Sequence, residues 1–129
     1  MSVSVGLKSR AEVLVNGSNT ANAVGSGLVP VFSTPSMIAL MENAAVRAIQ
    51  GRLEQGESSV GTHMDITHDA PTPVSLKVWA EAEVTAVDGR TVTFAVTAYD
   101  EKGPIGKGTH ERVIIRADKF LAKANEKLS

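Results

Sequence analysis

At 129 residues the chain has the length of one domain (residues 1–129), and its 43% apolar content suits a buried core. A formal net charge of −1 with no basic cluster argues against a nucleic-acid partner, and the absence of cysteine excludes disulfides, a thiol nucleophile and a Cys-based metal site. No segment reaches the roughly 20 apolar residues of a membrane span. The opening MSVSVGLKSR has no long apolar run and no cleavage-like site, so the expectation is a cytoplasmic protein without a membrane partner.

Taken in chain order, residues 11–15 (AEVLV) predict a first strand. Residues 16–27 (NGSNTANAVGSG) have no apolar period and read as a loop, either a lid or binding loop or a plain connector. Residues 33–50 (STPSMIALMENAAVRAIQ) predict a helix. Ser33 or Thr34 can cap its free N–H groups, and Pro35 suits the first turn, where a missing donor costs nothing. Apolar side chains cover most of its circumference and leave a narrow polar strip of Ser36, Asn43, Arg47 and Gln50, so it is expected to be buried on most sides. Gly51 can end it, although Leu53 allows one further turn before Gly56.

Beyond Gly56 the period changes to two. In residues 59–68 (SVGTHMDITH), Thr62, Met64, Ile66 and His68 share one face, and His63, Asp65 and Thr67 the other. The prolines of DAPTP break the pattern. Residues 74–87 predict a long strand with Leu76, Val78, Ala80, Ala82, Val84 and Ala86 inward and Trp79 outward. Asp88-Gly89 signals a hairpin, residues 91–99 return, and residues 105–116 form the last long strand before a short helix in FLAKANEK. The economical solution is an α+β fold, one antiparallel sheet wrapped around one long central helix: the hot-dog arrangement.

Several residues do not fit packing alone. Glu42 sits among apolar neighbours on the helix, where a carboxylate needs an ion pair from a strand or a functional role. Thr34, eight residues earlier, lies on the same side but roughly 12 Å away along the axis, and it is either the cap or a functional hydroxyl. His68 on the core face is either a hydrogen-bonded structural residue or a proton-transfer group. Gly61 inside a strand is either a bulge or a close backbone approach that can donate an N–H to an oxyanion. Arg112 in GKGTHER, near His110, is either a surface arginine or a fork of donors for a phosphate or carboxylate. Three scattered histidines without metal-ligand spacing predict no metal site, and no phosphate loop or nucleophile elbow is present, so no cofactor is expected.

The runs FSTPSMIALMENAAVRAI, SVGTHMDITHDAPTP and IGKGTHERVIIRADKF together resemble the fluoroacetyl-CoA thioesterase-like group of hot-dog thioesterases, over residues 31–123. The resemblance implies an acyl-CoA thioesterase, dimeric as a homodimer, with an acyl-CoA substrate. It assigns Thr34, Glu42 and His68 as the catalytic set, Gly61 as the backbone contact to the thioester and Arg112 as a substrate-binding residue. One departure stands out: the fluoroacetyl-selective member has phenylalanines before the helix, where residues 25–28 here have none. Thioester hydrolysis is therefore better supported than fluoroacetate selectivity. The competing readings are a non-catalytic acyl-CoA or small hydrophobic ligand binder and a hot-dog hydratase or dehydratase.

Overall fold

The computed structural model describes residues 2–129. Its elements run β1 (Lys8–Leu14), α1 (Ala21–Val24), α2 (Thr34–Ile49), β2 (Glu57–His68), β3 (Lys77–Asp88), β4 (Thr91–Asp100), β5 (Gly103–Arg116) and α3 (Ala117–Asn125). The five strands form one antiparallel sheet in the order β1-β3-β4-β5-β2. Strands β3, β4 and β5 are a meander, while β2 crosses over to the far edge beside β5. The sheet curls around α2, as the helix-then-strands pattern predicts.

The core is the inner face of the sheet against one broad face of α2. Met37, Leu40, Met41, Ala44, Ala45 and Ile49 are buried there against Val78, Ala80, Ala82, Val84, Val92, Phe94, Val96 and Ala98. Each large apolar side chain removed from water in this way contributes about 1.5–3 kcal/mol. The helix packs mainly over β1 and β3 and touches β2 little. Its remaining face is consequently not buried: Thr34 is exposed and Ile38 and Glu42 are only half-buried. The expectation of a helix enclosed on most sides is corrected here.

Strand parity is corrected twice by bulges. One falls at Thr62, between the pairs Gly61↔Arg112 and His63↔Glu111. The other falls at Thr85, so Val87 rather than Ala86 packs on the core. Strand β3 begins only at Lys77, because Ser75 has a left-handed φ of 89° that interrupts extended backbone. The β3–β4 hairpin loop is Gly89-Arg90, since Asp88 already pairs with Thr91; Gly89 supplies the positive φ of 59° that such a two-residue turn requires. Trp79 stacks on Tyr99 at 5.6 Å between centroids and carries Arg10 over its ring, so it covers its own sheet. The loop of residues 16–27 contains the single turn α1, and Thr20 bridges to Phe32. No helix of the described residues is long and apolar enough to cross a membrane.

Candidate active site

Two backbone ties set the start of α2 beside the end of β2. The Phe32 N–H donates to the Thr72 carbonyl at 2.8 Å, and Val31 bridges to Pro73. The chain therefore enters α2 next to the segment that follows His68. Ser33 is the N-cap: the Ser36 N–H donates to its Oγ at 3.2 Å, and its own hydroxyl donates to Ser36 Oγ at 2.7 Å. Thr34 is thereby relieved of capping. As the first helical residue it turns its hydroxyl to His68, with Oγ1 2.8 Å from Nδ1.

His68 has its other ring nitrogen, Nε2, buried and without a hydrogen-bond partner among the described residues. Burial lowers its pKa, against the opposing effects of the Asp69 charge and the Ala70 backbone, so the ring is neutral at neutral pH. The pair opens on a cleft of about 270 Å³ whose walls include Ala21, Ser26, Val31, Phe32 and Asp69. Ala21 and Ser26 come from the Gly/Ser/Asn-rich loop, which thus borders this cleft.

A second group lies two helical turns further along the same face. Glu42 Oε2 accepts from Arg112 Nη1 at 3.4 Å, with the carboxylate side chain 40% exposed and the arginine side chain 7% exposed. Glu42 is therefore an ion-paired residue at the edge of the core, not a carboxylate enclosed within it. Arg112 is likewise not a surface arginine. Its Nε donates to Ser59 Oγ at 2.9 Å, its Nη2 to the Ser59 carbonyl at 3.0 Å, and its Nη1 also to His110 Nε2 at 3.3 Å. Burial lowers the Arg112 pKa and the Glu42 carboxylate opposes the shift; a guanidinium so held remains a cation.

Gly61 pairs with Arg112 in the ladder and lies directly under the Glu42 carboxylate. A Cβ at that position would collide with Glu42 Oε2 and stand 3.1 Å from His110 Cε1 and 3.4 Å from Arg112 Nη1. The glycine is thus a point of close approach, and the bulge is its neighbour Thr62.

All five sequence-derived candidates therefore lie on the half-open side of α2 and the β5–β2 end of the sheet. They fall into two groups, Thr34 with His68 and Glu42 with Arg112 and Gly61. No hydrogen bond joins the two groups among the described residues. Ser59, which grips Arg112 twice, joins the site without a sequence signal of its own beyond lying two residues before Gly61 and so on the same face. His110 belongs to the site as well as Arg112. Its alternation with Arg112 and the buried Ile114 marks it as inward.

A curled sheet around one helix, with a polar cluster at the helix flank and a His–Thr pair at its start, defines a hot-dog enzyme of the thioesterase class. The chain belongs to the fluoroacetyl-CoA-specific thioesterase family, whose sequence model matches residues 15–118. It is a thioester hydrolase, and the binder and hydratase readings fall away. It is similar to the fluoroacetyl-CoA thioesterase of Streptantibioticus cattleyicolor, with 47% identity over 97 residues, 75% of this chain and 70% of the relative. A solved structure of a fluoroacetyl-CoA thioesterase superposes with a TM-score of 0.92 at 38% identity, covering 98% of each chain. A thioesterase superfamily member from Thermus thermophilus matches with a TM-score of 0.88 at 30% identity, covering 95% of this chain and 91% of that one.

Proposed function

We propose that this chain hydrolyses the thioester of a short or small acyl-CoA, with Thr34, Glu42 and His68 as its catalytic set, and that it does so as a homodimer. The observation that carries this reading is the division of the candidates into two groups on one half-open face. Each group is chemically incomplete. Thr34 and His68, with Asp69 in the same cleft wall, can position a group and move a proton, but they have no close glycine backbone beside them to meet a thioester carbonyl. Glu42, oriented by Arg112 against the Gly61 backbone, is a base and an N–H donor without a proton relay.

Strand β2 explains how the two meet. It is an edge strand of 12 residues, and an uncovered edge of that length invites pairing with another strand. Antiparallel pairing of β2 with the same strand of a second copy is self-complementary about a twofold axis. An axis through the Asp65 pair keeps Met64 of one copy opposite Ile66 of the other on the inner face, and sets the Gly61–Thr62 bulge of one copy opposite His68 of the other. Glu42 and Gly61 of one copy would then face Thr34 and His68 of its partner across the interface.

In such a site the Gly61 N–H would stabilise the developing oxyanion on the thioester carbonyl, a contribution of about 3 kcal/mol per donor. Glu42 would take a proton from water as its oxygen bonds to the carbonyl carbon. The C–S bond then breaks, and the proton taken up by Glu42 would pass through the neutral His68, received at one ring nitrogen as the other releases its own, to the departing thiolate, which returns Glu42 and His68 to their starting states while Thr34 positions the acyl group. Arg112 would hold Glu42 in place and bind the substrate. Among the solved relatives are fluoroacetyl-CoA thioesterase structures with acetyl-CoA and with fluoroacetate and CoA, so acetyl-CoA is the first substrate to try.

The test uses two disabled variants. Glu42→Gln alone should lower turnover by at least about 100-fold, as loss of a general base does, and Thr34→Val with His68→Ala should be similarly impaired. Mixed under conditions that exchange subunits, they form heterodimers in which one of the two sites has every group intact. About a quarter of wild-type activity should return, as expected for random assortment into twofold dimers. Failure of the mixture to recover activity, with exchange verified by mass, would show that each site is made within one chain.

A further inference from the structure

We propose that His110 is a positioning residue for the hydrolytic site: held as its neutral Nδ1–H tautomer, it offers Nε2 as the acceptor that aims Arg112 at Glu42. The inference rests on the proposed hydrolytic role of Glu42, but its first evidence is geometric. His110 is buried at 1% exposure on β5. Its Nδ1 stands 2.8 Å from the His63 carbonyl oxygen, which can only accept, so Nδ1 carries the proton. In a neutral ring that leaves a lone pair on Nε2, and Arg112 Nη1, which can only donate, lies 3.3 Å from it. The partners thus dictate the tautomer from both sides. Phe94 stacks on the ring at 5.9 Å and 28°, fixing its plane.

The consequence follows from the guanidinium. It is a planar fork with five N–H groups. Ser59 holds it at Nε and Nη2. The two hydrogens of Nη1 lie in that plane about 120° apart, so an acceptor on one directs the other. His110 takes one and Glu42 takes the other. The bulge at Thr62 sits beside His63, where the ladder register shifts and the strand turns its carbonyl to the ring.

Protonation would reverse the arrangement. Nε2 would become a donor facing a donor, with two cations side by side, and Arg112 would have to leave. The charged groups around the ring are Arg112 beside it on β5, Glu42 from α2 and Glu111 next along β5; β2 contributes the His63 carbonyl and β4 only Phe94. Burial and the Arg112 charge hold the His110 pKa below its ordinary value, against the His63 bond, Glu42 and Glu111. The switch therefore keeps its accepting form through neutral pH.

Two measurements on the intact protein test this. The first is ¹⁵N NMR of the imidazole nitrogens and of the Arg112 side chain, followed between about pH 5 and pH 8, the range of histidine titration. A protonated Nδ1 with a bare Nε2, and an Arg112 signal that changes as His110 titrates, is the expected result. An Nε2–H tautomer, or an Arg112 signal indifferent to His110, overturns the proposal, and this holds whether or not the chain hydrolyses any thioester. The second is a double-mutant cycle on acetyl-CoA turnover, with folding checked by circular dichroism. His110→Phe should lower kcat about tenfold with KM within about twofold, and in an Arg112→Ala background it should add less than about twofold, as expected for residues acting as one unit. His110→Gln, whose Oε1 replaces the Nε2 acceptor, should recover most of the loss. Losses that add fully across the cycle, or a Gln variant as impaired as the Phe variant, would show His110 to be packing alone.

Discussion

Replacing Gly61 by alanine adds one methyl group where β2 passes under the Glu42 carboxylate. The new Cβ would overlap Glu42 Oε2 and approach His110 Cε1 to 3.1 Å. Non-bonded carbon contacts settle near 3.5 Å or more, so the carboxylate must retreat by about 1 Å. That retreat takes it from Arg112 Nη1, now at 3.4 Å, and off the Gly61 backbone. A displacement of that size in a catalytic group costs about 100-fold in rate, or about 2.7 kcal/mol of barrier. Stability should change little. The Glu42 side chain is 40% exposed and can swing into solvent. The Gly61 backbone is not in the left-handed region, and alanine is better than glycine in a strand by about 0.5–1 kcal/mol. Steady-state release of free thiol from acetyl-CoA and a thermal melt, run on the same sample, make the comparison. The expected result is a loss of about 100-fold in kcat/KM with Tm within about 4 °C of wild type. A kcat/KM within about threefold of wild type would refute the placement of Glu42 over Gly61 as functional, and a Tm lowered by more than about 10 °C would make the glycine a packing requirement instead.

The neighbouring residues Ser33 and Thr34 should separate in the opposite sense. Ser33→Ala removes the cap and should cost about 1 kcal/mol of stability in a urea melt, with kcat largely kept. Thr34→Val leaves the cap in place, so its melt should stay near wild type while turnover falls, and a Thr34→Val variant with full activity would leave the Thr34–His68 contact without a function. Stability should also fall with acid. His68 and His110 both titrate below their ordinary value because burial disfavours the charged ring. The unfolded chain takes up its protons first, near pH 6.5, so stability is complete above that pH and declines as pH falls toward the folded values. The urea midpoint should be lower at about pH 5.5 than at about pH 7.5; a midpoint that rises on acidification would contradict the direction of both shifts.

Much of the fold was legible because two periods are written plainly in the chain. The 3.6-residue pattern and the Ser-Thr-Pro start place α2, and the alternating residues of 91–99 place β4 to within a residue. The site was legible in its members. Glu42 declared itself as a charge among apolar neighbours, and His68 by its parity with Met64 and Ile66. What could not be read was contact. Sequence cannot decide whether Ser33 or Thr34 caps the helix, because both have the hydroxyl; the choice is made by the ties at Phe32 and Val31, which bring Thr34 to His68. Nor can it show that Arg112 is buried, since a strand arginine is usually at the surface. Its burial depends on Ser59 and His110 supplying acceptors from two different strands.

The bulge at Thr62 joins these facts into one cause. Gly61 and His68 are seven residues apart, an odd number, so an unbroken strand would place them on opposite faces of the sheet. Met64 and Ile66 face the core with His68. Gly61 and Ser59 face it too, as their approaches to Glu42 and Arg112 show. Only an inserted residue reconciles the two halves of the strand, and the register shift between Gly61 and His63 is that insertion. The same irregularity accompanies the His63 carbonyl turned to His110. One extra residue in an edge strand thus brings both ends of β2 to the inner face and supplies the carbonyl that sets the His110 tautomer. Strand alternation alone, however clean, predicts half of this site facing solvent. The departure from alternation is what makes a single strand able to serve Glu42 at one end and Thr34 at the other.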